Sequence, residues 1–164
     1  MGDGYAWRAL GTCATRPAHG VDHEQRQPWH RDALPVLRDA GEDDADVYVL
    51  GVRQSADDDE SMALLFMECY DADAQQEIDQ GMDTYCLVLD PGQATAYGGV
   101  LECEVNDRRL RLLLTDETAD DLGLPARSEF ALELTEEQLK MVRRGLRRVL
   151  TSGRPDAVPT LRGV

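Results

Sequence analysis

Apolar and polar positions alternate with period two along the middle of the chain, the signature of half-buried strands. Residues 47–53 and 61–69 read as two strands joined by an acidic turn at 55–60, a hairpin. Residues 71–80 form a polar connection, a loop or short helix that an aspartate can cap and Gly81 can end. A second hairpin follows, with arms at 84–89 and 94–97 around the turn cluster Asp90-Pro91-Gly92, and the pair Gly98-Gly99 then interrupts the extended pattern. Residues 100–105 set Leu101, Cys103 and Val105 against Glu102 and Glu104, and after the Asn106-Asp107 turn Leu110, Leu112 and Leu114 alternate likewise. Thr115-Asp116-Glu117 opens a short helix that stops at Leu122-Gly123, and 128–134 is the last strand, burying Phe130, Leu132 and Leu134.

The period then changes from two to about 3.6. Thr135-Glu136-Glu137-Gln138 is a capping box, and the helix it opens runs to about Leu150 with Leu139, Val142, Leu146, Val149 and Leu150 on one face. The predicted fold is α+β: an antiparallel sheet of about six strands, one face covered by this amphipathic helix, with one or two short helices. Residues 1–44 hold Pro17, Pro28 and Pro35 and show neither period, so they read as an irregular or poorly ordered extension, with a short helix conceivable at 32–39. The folded domain is expected at 45–151, and residues 152–164 as a flexible tail.

Charge refines this picture. The chain of 164 residues carries a formal net charge of −15. Residues 45–134 hold 21 acids and 5 bases, whereas residues 135–164 hold 3 acids and 7 bases. Such a body repels nucleic acid and anionic lipid and attracts a basic protein. In the last helix the acids come first and Lys140, Arg143, Arg144, Arg147 and Arg148 follow, an order that suits the helix dipole, and the acidic body argues against a nucleic-acid role for them. No apolar run approaches the roughly 20 residues that span a bilayer, and the first ten residues carry Asp3 and Arg8 with no apolar block behind them. A cytoplasmic protein is expected. Cys13, Cys69, Cys86 and Cys103 have no C-x-x-C spacing and read as free, mostly buried thiols.

Templates for site chemistry fail one by one. The sequence has no Walker loop, no G-x-G-x-x-G and no G-x-S-x-G. Asp71-Ala72-Asp73 begins like a calcium loop, but Gln76 stands at the turn glycine and Met82 at the bidentate glutamate. His19, His23 and His30, with Cys13, are scattered around glycine and proline and make no defined metal site. No metal, cofactor or catalytic residue is predicted. What remains is a contact surface: the run Asp57, Asp58, Asp59 and Glu60, the connection carrying Asp71, Asp73, Asp79 and Asp83, and Tyr85 or Tyr97 if exposed. Gly98 and Gly99 read as a structural bend.

The block Gly81-Met82-Asp83-Thr84-Tyr85-Cys86-Leu87-Val88 is followed by Tyr97-Gly98-Gly99-Val100, then residues 110–114 with Thr115, Leu122-Gly123-Leu124, and a helix ending Gly145-Leu146-Arg147-Arg148-Val149-Leu150. Together these resemble the immunity protein 10 family over roughly residues 46–150. The resemblance implies a small, non-enzymatic bacterial protein of polymorphic toxin systems that binds and neutralises a cognate toxin domain. It supplies no catalytic residues. Because nucleases need basic surfaces to hold phosphate, the acidity admits a basic nuclease as the toxin. Two other readings stand beside it: an acidic regulatory or scaffold module unrelated to toxins, and a small-molecule or enzymatic domain with its site under the Tyr97-Gly98-Gly99 bend.

Overall fold

A computed structural model describes residues 34–69, 78–79 and 82–164. Among these residues the chain is mostly β, with ten strands in two five-stranded sheets. The first sheet has the order β2-β3-β4-β5-β6: Asp39–Asp43, Val49–Arg53, Ala63–Met67, Cys86–Asp90 and Ala94–Tyr97, antiparallel throughout. In the second, the antiparallel strands β7, Val100–Asn106, β8, Arg109–Leu114, and β9, Arg127–Leu132, form the centre. Two short parallel strands, β1, Val36–Leu37, beside β9 and β10, Thr160–Arg162, beside β7, form its edges.

This corrects the expected α+β fold built on a single sheet of about six strands: the protein is mostly β, in two sheets. The pleat fixes which side chains share a face but not which sheet a strand joins, and the chain changes sheets at Gly98-Gly99. Both glycines take left-handed φ, 64° and 80°, a conformation open to glycine at little cost. The break separates β6 from β7, so the two never pair. Both sheets turn apolar faces into one core, which joins Leu50, Phe66 and Leu87 of the first to Cys103, Leu112 and Phe130 of the second.

Tyr85 spans the junction: its hydroxyl accepts from the Val100 amide at 3.1 Å and donates to the Ala157 carbonyl at 3.2 Å. Leu101, expected to point inward, is 49% exposed. A register shift between Val100 and Glu102 turns it outward and buries Val100 in its place.

Two segments expected outside the folded domain contribute strands. Over its described part, the helix conceived at 32–39 is replaced by β1 and the start of β2. Asp39-Ala40-Gly41-Glu42-Asp43 has no apolar alternation and is held extended by its ladder with β3. Residues 160–162, expected in a flexible tail, pair with Glu102, Cys103 and Glu104 of β7. Three residues are too few to show a period. The connection expected at 71–80 lies outside the described residues except for 78–79.

The helices follow their local signals. Thr115 caps α1, Asp116–Leu122, and Gly123 closes it at φ 68°. Thr135 and Gln138 complete the capping box of α2, Glu136–Leu150, whose buried stripe packs on β2, β3 and β4. Among the described residues Cys69, Cys86 and Cys103 are in no disulfide, and Cys103 has no exposure.

Burial pushes the Cys103 thiol up from 9.0 to about 12 and the Tyr85 phenol up from 10.0 to about 12. Both are neutral in the fold while the unfolded chain ionises first, so they stabilise fully below about pH 9 and that stability is lost as pH rises toward 12. A falling urea midpoint is therefore expected between pH 9 and 12. Cys103→Ala should lower stability at neutral pH but flatten the first part of the decline, and an equal slope in the variant would remove the thiol from this account.

Candidate partner-binding surface

Two arginines of α2 are tied to acids of the first sheet and its loops. Arg144 pairs with Glu42 at 2.7 Å, and Arg148 pairs with Asp44 and Glu68, each at 3.0 Å. The Arg148 guanidinium stands 4.2 Å from the centre of the Tyr48 ring, and the Tyr48 hydroxyl donates to Glu42 at 2.6 Å. Burial, and then the Glu42 hydrogen bond, hold this phenol above its ordinary ionisation range. Hydrogen bonds to Asp44 and Glu68 hold the proton on Arg148 more tightly than usual. The depression of about 380 Å³ lined by Glu42, Asp44, Tyr48, Arg144 and Arg148 is thus a clamp of paired charges between helix and sheet.

On the outer face of the second sheet the strand register sets Arg111 between Glu104 and Glu129. Arg109 reaches Glu129 at 2.8 Å and Arg111 reaches it at 3.3 Å. The Arg109 hydrogen bond, aided by the Arg111 charge, lowers the Glu129 carboxyl below its ordinary range. This face is a ladder of cross-strand ion pairs in water.

With those bases committed, the remaining acids stand out. Asp57, Asp58, Asp59 and Glu60 are exposed in the β3–β4 turn, and among the described residues none is paired with lysine or arginine. Asp58 instead accepts from the Glu60 amide at 3.0 Å, fixing the turn. The β5–β6 turn lies at the same end of the sheet, because Ala63, at the start of β4, is the register partner of Asp90. Desolvation raises the Asp90 carboxyl, and Gln93 donates to it. On the other side of β6, α1 exposes Asp116, Glu117, Asp120 and Asp121. Asp116 and Glu117 open the helix, and four acids in its seven residues are the sequence signal of a charged surface.

The other predicted contact residues separate. Tyr85 has no exposure and is a core residue, so it does not meet the condition set for it. Tyr97 is half-buried at the end of β6. Asp79 is exposed, while Asp71 and Asp73 lie outside the described residues. Asp83 is mostly buried: one carboxylate oxygen lies 3.4 Å from Arg154 Nε and the other has no hydrogen-bond partner. His19, His23, His30 and Cys13 also lie outside the described residues. Among those described, no three His, Cys, Asp or Glu side chains are grouped to hold a metal ion. No described helix is long and apolar enough to cross a membrane.

The immunity protein 10 family model matches residues 36–140, from β1 into α2. The chain belongs to the immunity protein 10 family. No curated protein and no solved structure matches it. Membership makes this an immunity protein of toxin systems, a family whose members bind a cognate toxin. The matched region contains the acidic turn, the glycine junction and α1, whereas β10 lies beyond its end.

Proposed function

We propose that this immunity protein acts without catalysis in the cytoplasm, and that it neutralises a basic toxin domain, a nuclease foremost, by covering the toxin's working surface with the acidic end of the first sheet. The observation that supports this is the division of charge. Arg144, Arg148, Arg109 and Arg111 are tied to carboxylates of the fold, while residues 57–60 are exposed with no cationic partner among the described residues. A nuclease must gather positive charge to hold phosphate, and an acidic inhibitor reads that same charge.

The test is co-expression with toxin domains from the same genome, scored by rescue of growth, followed by binding measurements on the rescued pair. Reversing Asp57, Asp58, Asp59 and Glu60 to lysine should weaken binding by about 10- to 100-fold at low salt, mostly through the association rate, and by less at high salt. Rescue and affinity left intact at both low and moderate salt would remove the turn from the interface.

A further inference from the structure

We propose that the outer face of the first sheet is the apolar centre of this interface, and that the toxin seats there an apolar patch ringed by basic residues. This rests on the proposed neutralisation of a basic toxin. The strand register gives the first sheet two different faces. Leu50, Val52, Leu64, Phe66 and Leu87 point into the core, where both helices pack. Opposite them, Val49, Met67 and Cys86 share one cross-strand row, and Leu65 and Val88 share the next with Thr95.

Among the described residues, none of these five apolar side chains belongs to the core cluster or packs against it. Val49 and Cys86 are closed off at 3% and 4% exposure, while Leu65, Met67 and Val88 are half-buried and Thr95 is exposed. The outer face of an antiparallel sheet in water ordinarily reads polar, as the Glu104-Arg111-Glu129 ladder of the second sheet does. Two outer faces of one protein thus follow opposite rules, and an apolar centre inside a charged rim is the anatomy of an interface.

Charge selects the occupant. On β2–β6 this face bears one base, Arg53, paired with Asp39 at 2.7 Å. Asp43 and Asp90 lie on the rim, and the turn at 57–60 projects from the same end as Asp90. A second copy of this chain would set acid against acid, whereas a basic toxin meets complementary charge around an apolar seat.

The experiment uses the full chain and the toxin domain selected by growth rescue. In the free chain, Met67 should be oxidised by peroxide faster than Met62, which is 4% exposed in the core, and complex formation should protect Met67. Val88→Lys should weaken binding about 100-fold and Thr95→Arg about 10-fold, while Thr160→Arg on the other sheet should change it less than about 2-fold. Thr95 and Thr160 are exposed, so these two variants keep the comparison informative if Val88→Lys does not fold.

Oxidation of Met67 as slow as that of Met62 in the free chain would show the face already covered and overturn the inference. So would affinities within about 2-fold of wild type for both Val88→Lys and Thr95→Arg; if the 57–60 reversal still weakened binding, neutralisation by the acidic end would stand without this face. A chain that rescues growth from no toxin takes both proposals down.

Discussion

Gly99→Val is expected to cost about 5 kcal/mol of folding stability, a large share of the roughly 5–15 kcal/mol that holds a domain together. Gly99 sits at φ 80° between the two sheets. A β-carbon there would lie 1.8 Å from the Thr118 hydroxyl oxygen, 2.8 Å from Thr118 Cβ and 3.0 Å from the Thr115 hydroxyl oxygen. Left-handed φ alone costs about 1–2 kcal/mol for a residue with a side chain, and more for a branched one. Overpacking typically adds about 1–3 kcal/mol. Displacing Thr115 loosens the α1 cap, worth about 1 kcal/mol.

The contributions can be separated by experiment. Gly99→Ala combined with Thr118→Gly removes the overlap but keeps the φ strain and puts glycine in a helix, so it should recover only part of the loss. Urea unfolding of the variants provides the readout. A Gly99→Val midpoint equal to wild type would mean that α1 does not approach the junction this closely.

Gly145→Leu is expected to cost about 3 kcal/mol, against the usual sign for a glycine inside a helix, where a better helix former gains up to about 1 kcal/mol. Gly145 lies in the buried stripe of α2, and a β-carbon on it would meet the Tyr48 hydroxyl at 2.6 Å and two Leu50 methyls at 3.0 and 3.1 Å. Tyr48 cannot simply step aside, because Glu42 holds its hydroxyl and Arg148 covers its ring. The larger side chain would lift the helix or expel Tyr48, and overpacking plus a lost hydrogen bond accounts for the estimate. Gly145→Ala should lose about 1 kcal/mol. A gain in thermal midpoint for either variant would show that helix and sheet have room to spare.

These two glycines also bear on the proposed function. Gly99 lets α1 and its acids dock beside β6, and Gly145 lets α2 close on the edge acids Glu42, Asp44 and Glu68. The helix neutralises those acids with its own arginines, while the turn at 57–60 keeps its charges exposed. The same composition with Arg144 and Arg148 released would offer a weaker, mixed field.

Much of the local structure was legible in the residues. Capping boxes and C-terminal glycines are written within a few positions, so α1 and α2 begin and end close to where Thr115, Gly123 and Thr135 place them. The 49–53/63–67 and 86–90/94–97 hairpins appear for the same reason, since turn chemistry and period two are short-range. Of the contact set, the turn at 57–60 was readable as exposed because four consecutive acids have no inexpensive buried state, whereas Tyr85 was misplaced among possible contacts because an aromatic residue on a strand carries no mark of its face.

The sequence by itself determined the two central hairpins, both helices with their caps, the acidity and the family, because each is a property of neighbouring residues or of totals. Tertiary structure alone decided that the strands divide into two sheets at Gly98-Gly99, that β1, β2 and β10 pair at all, and which acids the basic helix neutralises. Those outcomes depend on backbone partners and side chains far apart in the chain, such as Arg148 with Asp44, 104 positions away, and on steric room that glycine opens at two points. A period of two shows that a strand has an inner and an outer face; only the packed fold shows that one outer face is a charged ladder and the other is apolar.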